Sequence, residues 1–387
     1  MRTQTKTQIG TSKKTGNIRT VCVLFGGVST EHLISGRSAF NIITTLRKLK
    51  LTIICIGITK SGQWVKYIGE DRAILDGTWE EMLHPSEPLP LLQAISVGFS
   101  IRDFLLTIVG SVPDVIFPAV HGINCEDGTL QGLLELSGIP YVGCGVLASA
   151  ACMDKIHAKK IFGAVRIPQC KYIGIQRLDI KSDISQCIDK IERKIGYPCF
   201  LKPNNGGSSV GTMSAKNRGE LETALREVAL YDRTVLVEEF ILCREIEAAV
   251  MGNEKPKVAT LGEVLTAQNV EYYDYQAKYF DPDGAMVCIP AALDPKTEAY
   301  IRKYAKKAYV SLGCAGLSRI DFFIDRMTGK IFINEINTLP GFTAISLFPK
   351  AWEASGLPID KLLMKLCKLA VNEKTNKERL EIIDEVK

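Results

Sequence analysis

Arg319-Ile320-Asp321-Phe322-Phe323-Ile324 and Ile331-Phe332-Ile333-Asn334-Glu335-Ile336-Asn337 flank the polar break Asp325-Arg326-Met327-Thr328-Gly329-Lys330. Both flanks are rich in β-branched and aromatic residues and have strand length. The break carries the Gly and polar residues of a turn. Folded as an antiparallel hairpin about Thr328, the pairing sets Asp321 opposite Glu335 and Arg319 opposite Asn337. Side chains alternate faces along a strand, so these four point the same way. One face then holds two carboxylates, an amide oxygen and a guanidinium among apolar neighbours. Facing like charges repel, and burying them costs several kcal/mol unless they are paired. A hard cation resolves the conflict, and these oxygen ligands suit magnesium beside phosphate. A solvated face with an incidental Arg–Asp pair accounts for the isolated pattern equally well.

At 387 residues the chain is long enough for two or three domains. An apolar content of 46% with 24% charge describes a soluble globular protein. Apolar runs such as Ile53–Ile58 are too short to span a membrane. Net charge is +5, and the first twenty residues hold Arg2, Lys6, Lys13, Lys14 and Arg19 with no acid. That segment lacks the apolar stretch of a secretory signal and reads as a flexible tail. No basic patch with interleaved aromatics points to nucleic acid. The twelve cysteines contain no C-x-x-C, and several lie in apolar strand-like runs. They read as reduced thiols packed as small hydrophobes in a cytoplasmic protein.

The N-terminal block alternates strands and helices: Val21–Phe25, a helix over Glu31–Leu49, Leu51–Thr59, Gln63–Tyr67, Val115–Val120, a helix over Gly128–Leu136, and Tyr141–Val142. This alternation predicts an open parallel sheet. A helix over Ser149–Phe162 opens an α+β block with strands at Lys171–Ile175, Cys199–Lys202, Val210–Ser214 and Thr234–Glu239. A third block contains the strand Glu245–Met251, a helix Thr297–Leu312 and the hairpin. The predicted division is a tail 1–20, domains 21–142, 143–241 and 242–371, and a charged tail 372–387.

Lys202-Pro203-Asn204-Asn205-Gly206-Gly207-Ser208-Ser209-Val210-Gly211 links two strands. Its glycines let backbone N–H groups approach an anion, and Ser208 and Ser209 add donors. A lid over phosphates fits this pattern, and so does a plain hairpin turn. Glu238 and Glu239 end an apolar strand, with Ile241 and Glu245 just beyond. Acids there are able to accept from an adenine amino group and ribose hydroxyls, or simply to face water. Glu31 follows a Gly26-Gly27 strand end and opens a helix. It either complements the helix dipole or anchors a substrate ammonium at the carboxyl edge of the sheet. His121 begins another loop at that edge.

Taken together, FGGVSTEHLIS, HGINCEDGTLQG, CMDK, KPNNGGSSVG, YYDYQAKY, SRIDFF and NEINTLPGFT occur in one order from Val21 to about Val371. In this the chain resembles the D-alanine–D-alanine ligase family of ATP-grasp enzymes. The resemblance implies a three-domain fold of α/β and α+β type, with an N-terminal Rossmann-like domain and two domains that clasp ATP. It implies ATP as a substrate, two magnesium or manganese ions, potassium as a candidate activator, D-alanine as amino acid and a homodimer. Lys155 and Lys202 would bind the α- and β-phosphates, and Ser208-Ser209 would close over the γ-phosphate. Glu238 and Ile241 would face adenine and Glu245 the ribose, with Glu239 also among the ATP-binding residues. Asp321, Glu335 and Asn337 would hold the metal ions. Arg319 and the backbone N–H of Gly341 would stabilise an oxyanion. Glu31 would hold the first ammonium, with His121 at the substrate. Ser346 and Leu347 would line the second amino-acid subsite. Lys278 and Tyr279 of the Tyr272–Tyr279 loop would close the site, with Tyr279, Ser208 and Glu31 bonded as a lock.

Related D-Ala–D-serine ligases usually carry arginine where Leu347 stands, and an apolar wall offers a hydroxyl nothing to bond. D-Alanine is therefore the expected nucleophile and D-serine the alternative. Departures from the family pattern are Leu33, Cys243, Gln276 and Ile345. A non-catalytic nucleotide-binding homologue would have lost metal or phosphate ligands, and none is missing.

Overall fold

A computed structural model describes residues 18–83, 110–266 and 285–377. Residues 1–17 of the N-terminal tail, the last residues 378–387 and the Tyr272–Tyr279 loop lie outside those ranges, whereas Ile18 is buried and Thr20 already belongs to the first strand. Three sheets organise the described residues.

The first sheet contains β1 (Thr20–Gly26), β2 (Thr52–Ile58), β3 (Trp64–Tyr67) and β4 (Val115–Pro118), in the order β3-β2-β1-β4. β1 runs parallel to β2 and β4, while β3 folds back antiparallel on β2. Lys60-Ser61-Gly62 makes that turn, as its residue types predict. The strand expected at Tyr141–Val142 is reduced to one parallel bridge between Ile116 and Tyr141. The helix His32–Lys48 covers one face of this sheet with Ala39, Ile42, Ile43 and Leu46. The helix Ile359–Lys377 buries Leu362, Leu363 and Leu366 in the same core. Trp79 seals an edge: its ring lies 4.9 Å from Phe25 and stacks on His32. A Cβ at Gly57 would come within 2.4 Å of the Trp79 ring. Gly57→Ala is therefore expected to cost about 1–3 kcal/mol by overpacking, read as a lowered denaturation midpoint. An unchanged midpoint would contradict this packing.

The second sheet, β5 (Tyr172–Gln176), β6 (Cys199–Pro203), β7 (Met213–Ala215) and β8 (Thr234–Glu239), is antiparallel in the order β5-β8-β6-β7. β7 starts three residues later than its sequence suggests. Ser208, Ser209 and Gly211 all take positive φ, which holds the chain in a turn up to Thr212.

The third sheet contains β9 (Cys243–Met251), β10 (Lys257–Val258), β11 (Gly262–Thr266), β12 (Ala285–Cys288), β13 (Leu317–Asp325) and β14 (Ile331–Asn337). The order is β12-β11-β9-β13-β14, with β10 on β9. Its core takes Ile246, Ile320, Phe322 and Ile333 from strands. Tyr309 comes from the helix Pro295–Ser311, and Cys152, Ala158 and Phe162 come from earlier helices. The helix expected over Ser149–Phe162 is in fact two, Val146–Met153 and Lys155–Ala164. The break falls at Asp154, which bridges to Asn205 and caps the second helix by accepting from His157 N. Among the described residues no helix is long and apolar enough to cross a membrane.

Candidate active site

Arg319 pairs with Asn337 and Asp321 with Glu335, as the sequence predicts, whereas the pairs nearer the turn run one residue off symmetry about Thr328. A bulge just after Asp321 then leaves Asn334 without an opposite residue, so Phe322 meets Ile333. β13 also pairs with β9, placing Glu247 opposite Asp321 on the other side. Arg319 resolves the resulting repulsion. Its Nε and terminal nitrogen donate to both Asp321 oxygens at 2.8 and 2.7 Å, and Nε lies 3.2 Å from Glu247 Oε1. Asp321 is buried, and its carboxylate lies within 4.8 Å of those of Glu245 and Glu247. Sequence reading missed Glu247. The Glu-x-Glu alternation along β9, facing the hairpin acids, is the signal that marks it.

Glu335 and Asn337 line a cleft with about 500 Å³ of empty space. Across it stand Glu31, Glu126, Lys155, Ser208 and Arg319. All three units contribute: Glu31 from the end of the first sheet, Ser208 from the β6–β7 loop, and the hairpin. Ser208 donates its hydroxyl to Glu31 Oε1. Glu31 caps no backbone N–H with its side chain, and its carboxylate lines the cleft. Ser208 and Ser209 occupy the left-handed region, φ +51° and +57°. Non-glycine residues there cost of order 1–3 kcal/mol each, and the hydroxyl turned into the cleft is what glycine would not provide.

The break at Asp154 positions Lys155. Its backbone N–H donates to Asn204 O at 3.1 Å, and the Ile156 N–H donates to Asn204 Oδ1 at 2.9 Å. Its ammonium donates to Gly206 O at 2.6 Å and lies 3.4 Å from Glu335 Oε2. Lys202 points to Asn334 Oδ1 at 3.1 Å and to Glu238 Oε2 at 2.6 Å. Glu238 and Glu239 face opposite sides of β8. Glu238 is buried among lysines, and Glu239 accepts from the Lys171 N–H at 2.8 Å. The Glu238 carboxyl is held far below its usual range: burial opposes ionisation, but the neighbouring Lys159 and Lys202 ammoniums outweigh it. Neither orientation was legible from the Glu-Glu pair alone.

His121 is buried and neutral in character, since burial lowers its pKa more than Glu31 raises it. Its Nδ1 lies 3.0 Å from Leu339 O and its Nε2 3.2 Å from Ser38 Oγ. Ser38 Oγ in turn accepts from the Phe342 N–H at 3.1 Å. In a neutral ring this chain fixes the proton on Nδ1 and lets the Ser38 hydroxyl donate to Nε2. His121 thus ties the first sheet to the loop that carries Gly341. Ser346 Oγ accepts from the Thr343 N–H at 2.9 Å and stands beside Gly341, where a Cβ would meet it at 3.0 Å. Leu347 is buried and packs over Gly262, while Ile345 is exposed. Ile241 lies in the link between β8 and β9, and Glu245 is the third residue of β9. Lys278 and Tyr279 lie outside the described residues.

Glu126 is a second residue that sequence reading missed. It is buried, its Oε1 accepts from the Gly122 N–H at 3.1 Å, and its Oε2 has no hydrogen-bond partner among the described residues. Burial, reinforced by Glu31, pushes its pKa up to about 8, against Lys155 and Arg319. Between its ordinary value of 4.5 and about 8, the folded chain keeps a proton that the unfolded chain has released. The folded state then binds more protons, so this residue makes stability fall as pH rises through that window. Glu126→Gln should flatten the decline in the nucleotide-free protein, seen as a denaturation midpoint less dependent on pH. Identical slopes for wild type and variant would refute the assignment.

The sequence profile described as D-ala D-ala ligase N-terminus matches residues 20–144, and that described as D-ala D-ala ligase C-terminus matches residues 161–368. The chain is 48% identical to the D-alanine–D-alanine ligase of Ruminiclostridium cellulolyticum, over 94% of this chain and 99% of that one. It is 46% identical to the ligase of the same name from Acetivibrio thermocellus, over 92% and 96%. Its fold is similar to the VanG D-Ala:D-Ser ligase from Enterococcus faecalis, with TM-score 0.77, 35% identity, and 92% and 100% of the two chains covered. It is also similar to the D-alanine–D-alanine ligase from Coxiella burnetii, with TM-score 0.74, 33% identity, and 93% and 97% covered. The chain belongs to the D-alanine–D-alanine ligase family.

Proposed function

We propose a division of labour among the residues of this cleft. The chain joins two D-alanines to D-alanyl-D-alanine, an ATP-dependent ligation in peptidoglycan precursor synthesis. The observation that carries the residue roles is that one cleft gathers Glu31 and Ser208 with Lys155, Arg319, Glu335 and Asn337.

Glu31 holds the ammonium of the first D-alanine and turns its carboxylate toward the phosphate-binding side. That carboxylate attacks the γ-phosphorus of ATP, giving D-alanyl phosphate and ADP. Such a transfer needs positioning and charge neutralisation rather than covalent help. Lys155 and Lys202 take the phosphate charge, with Ser208 and Ser209 closing over the γ-phosphate. The nucleoside lies at the ends of β8 and β9, adenine by Glu238, Glu239 and Ile241, ribose by Glu245. Asp321, Glu335 and Asn337 fit divalent ions by chemistry: all offer hard oxygens, and two of the three line the cleft. Bound there, two magnesium or manganese ions would neutralise charge on the phosphates.

The amine of the second D-alanine then attacks the acyl carbon and expels phosphate. Arg319 and the Gly341 N–H face the developing oxyanion, supported by the His121–Ser38 chain behind that loop. Ser346 and the apolar Leu347 side bound the second subsite. A hydrophobic wall rejects an added hydroxyl by only about a hundredfold, so D-serine is a poor but real competitor. Lys278 and Tyr279 complete the enclosure that keeps water from the acyl phosphate. The enzyme acts in the cytoplasm as a homodimer, and potassium is a candidate activator.

The test is phosphate release with D-alanine alone, then with D-serine or D-lactate added, the products identified by mass. D-Alanyl-D-alanine should dominate in every mixture. A predominant D-alanyl-D-serine product would overturn the second-subsite assignment.

A further inference from the structure

The helix Lys155–Ala164 places two lysines one turn apart on one face. Lys155 lines the cleft, whereas Lys159 lies behind it, with 1% of its side chain exposed. The Lys159 ammonium sits 2.5 Å from Glu238 Oε1, 3.7 Å from Cys170 Sγ and 5.5 Å from the centre of the Tyr172 ring. The Cys170 thiol also donates to Glu238 Oε1, at 3.1 Å. The other oxygen, Oε2, takes the Lys202 ammonium at 2.6 Å. One buried carboxylate thus serves two buried ammoniums, where one would neutralise it.

The surplus has a consequence for Lys202. With Lys202 as its only partner, Glu238 would compete with phosphate for that ammonium. A Lys202 that turned to phosphate would leave behind a buried, unpaired carboxylate, which is costly. Lys159 keeps Glu238 paired in either state. We propose that Lys159 is a positioning residue for nucleotide binding: it holds Glu238 neutralised from behind, so that Lys202 is free to engage the triphosphate. This rests on the reading of Lys202 as a phosphate ligand. Lys159 itself touches no substrate.

A double-mutant cycle on the full-length enzyme tests it. Lys159→Met and Glu238→Gln are made singly and together. Binding of a non-hydrolysable ATP analogue with magnesium is measured by calorimetry, alongside KM for ATP and for D-alanine. Lys159→Met should weaken nucleotide binding about tenfold and leave KM for D-alanine within about twofold. On the Glu238→Gln background the same change should cost less than about twofold, since no lone carboxylate remains. Equal losses on both backgrounds, or no loss on either, overturn the inference. A Lys159→Met protein that fails to fold while the double variant folds shows the same coupling and supports it. Failure of both to fold counts against it, because the double variant carries no unpaired acid. Lys202→Ala separates the two levels: unchanged nucleotide binding there sinks the phosphate reading and this inference with it. Lost binding in Lys202→Ala with a flat cycle sinks the inference alone.

Discussion

Asp321→Ala and Glu335→Ala each lower turnover by about 10³-fold or more while the protein still folds. The magnitude follows from the role proposed for the acids. Charge that builds on transferring phosphate is met by fixed, preorganised groups, and such groups are commonly worth 10²–10³-fold singly. If each acid anchors a metal ion as proposed, its removal takes away more than one such interaction. Folding should survive because the two acids face each other across the hairpin, so deleting one relieves repulsion. Glu335 is partly exposed and the easier of the two to remove. Its variant should stay within about 1 kcal/mol of wild type, as surface changes usually do. Asp321 is buried against Arg319, and its removal leaves the guanidinium with Glu247. Steady-state phosphate release gives the activity and denaturant unfolding the stability. Wild-type turnover in either variant would remove the metal assignment.

Arg319→Met should damage both stability and activity. The guanidinium is buried and forms a fork to both Asp321 oxygens, with Glu247 beside it. Without it, two buried carboxylates confront one another with no cation between them. Breaking a buried pair in this way typically costs about 3–5 kcal/mol. Loss of the proposed oxyanion donor should add about 10²–10³-fold in turnover. Arg319→Lys separates the effects. A lysine keeps the charge but not the planar fork, so most stability should return while turnover stays low. If Arg319→Lys recovered full activity, the fork geometry would be irrelevant to the reaction. If Arg319→Met unfolded no more readily than wild type, the charge balance drawn around Asp321 would be wrong.

Legibility in the sequence followed distance along the chain. The acid-bearing end of the hairpin was readable because strand alternation decides which side chains share a face, although the pairs nearer the turn run one residue off the expected register. Arg319, Asp321, Glu335 and Asn337 were therefore placed before any fold was known. The bulge beside Asp321 was not readable, since it arises where β13 is paired on both sides at once. The composition of the Ser208–Ser209 loop carried the expectation of a phosphate lid. That both serines would take positive φ, and so delay β7, was not legible.

Residues whose meaning comes from far along the chain stayed hidden. Glu126 looks like one acid of a polar loop until Glu31 stands near it and burial raises its pKa. Lys159 is an ordinary helical lysine until Glu238 arrives from β8. The split of the helix at Asp154 depends on Asn204 and Asn205, fifty residues onward. Helical periodicity alone runs through that position without interruption.

The most direct measurement is anomalous diffraction from crystals soaked with manganese and a non-hydrolysable ATP analogue. Manganese peaks shared by Asp321, Glu335 and Asn337 next to the phosphates are the predicted result. Manganese and phosphates bound elsewhere in the cleft, with the three side chains turned from them, would contradict the account at its root.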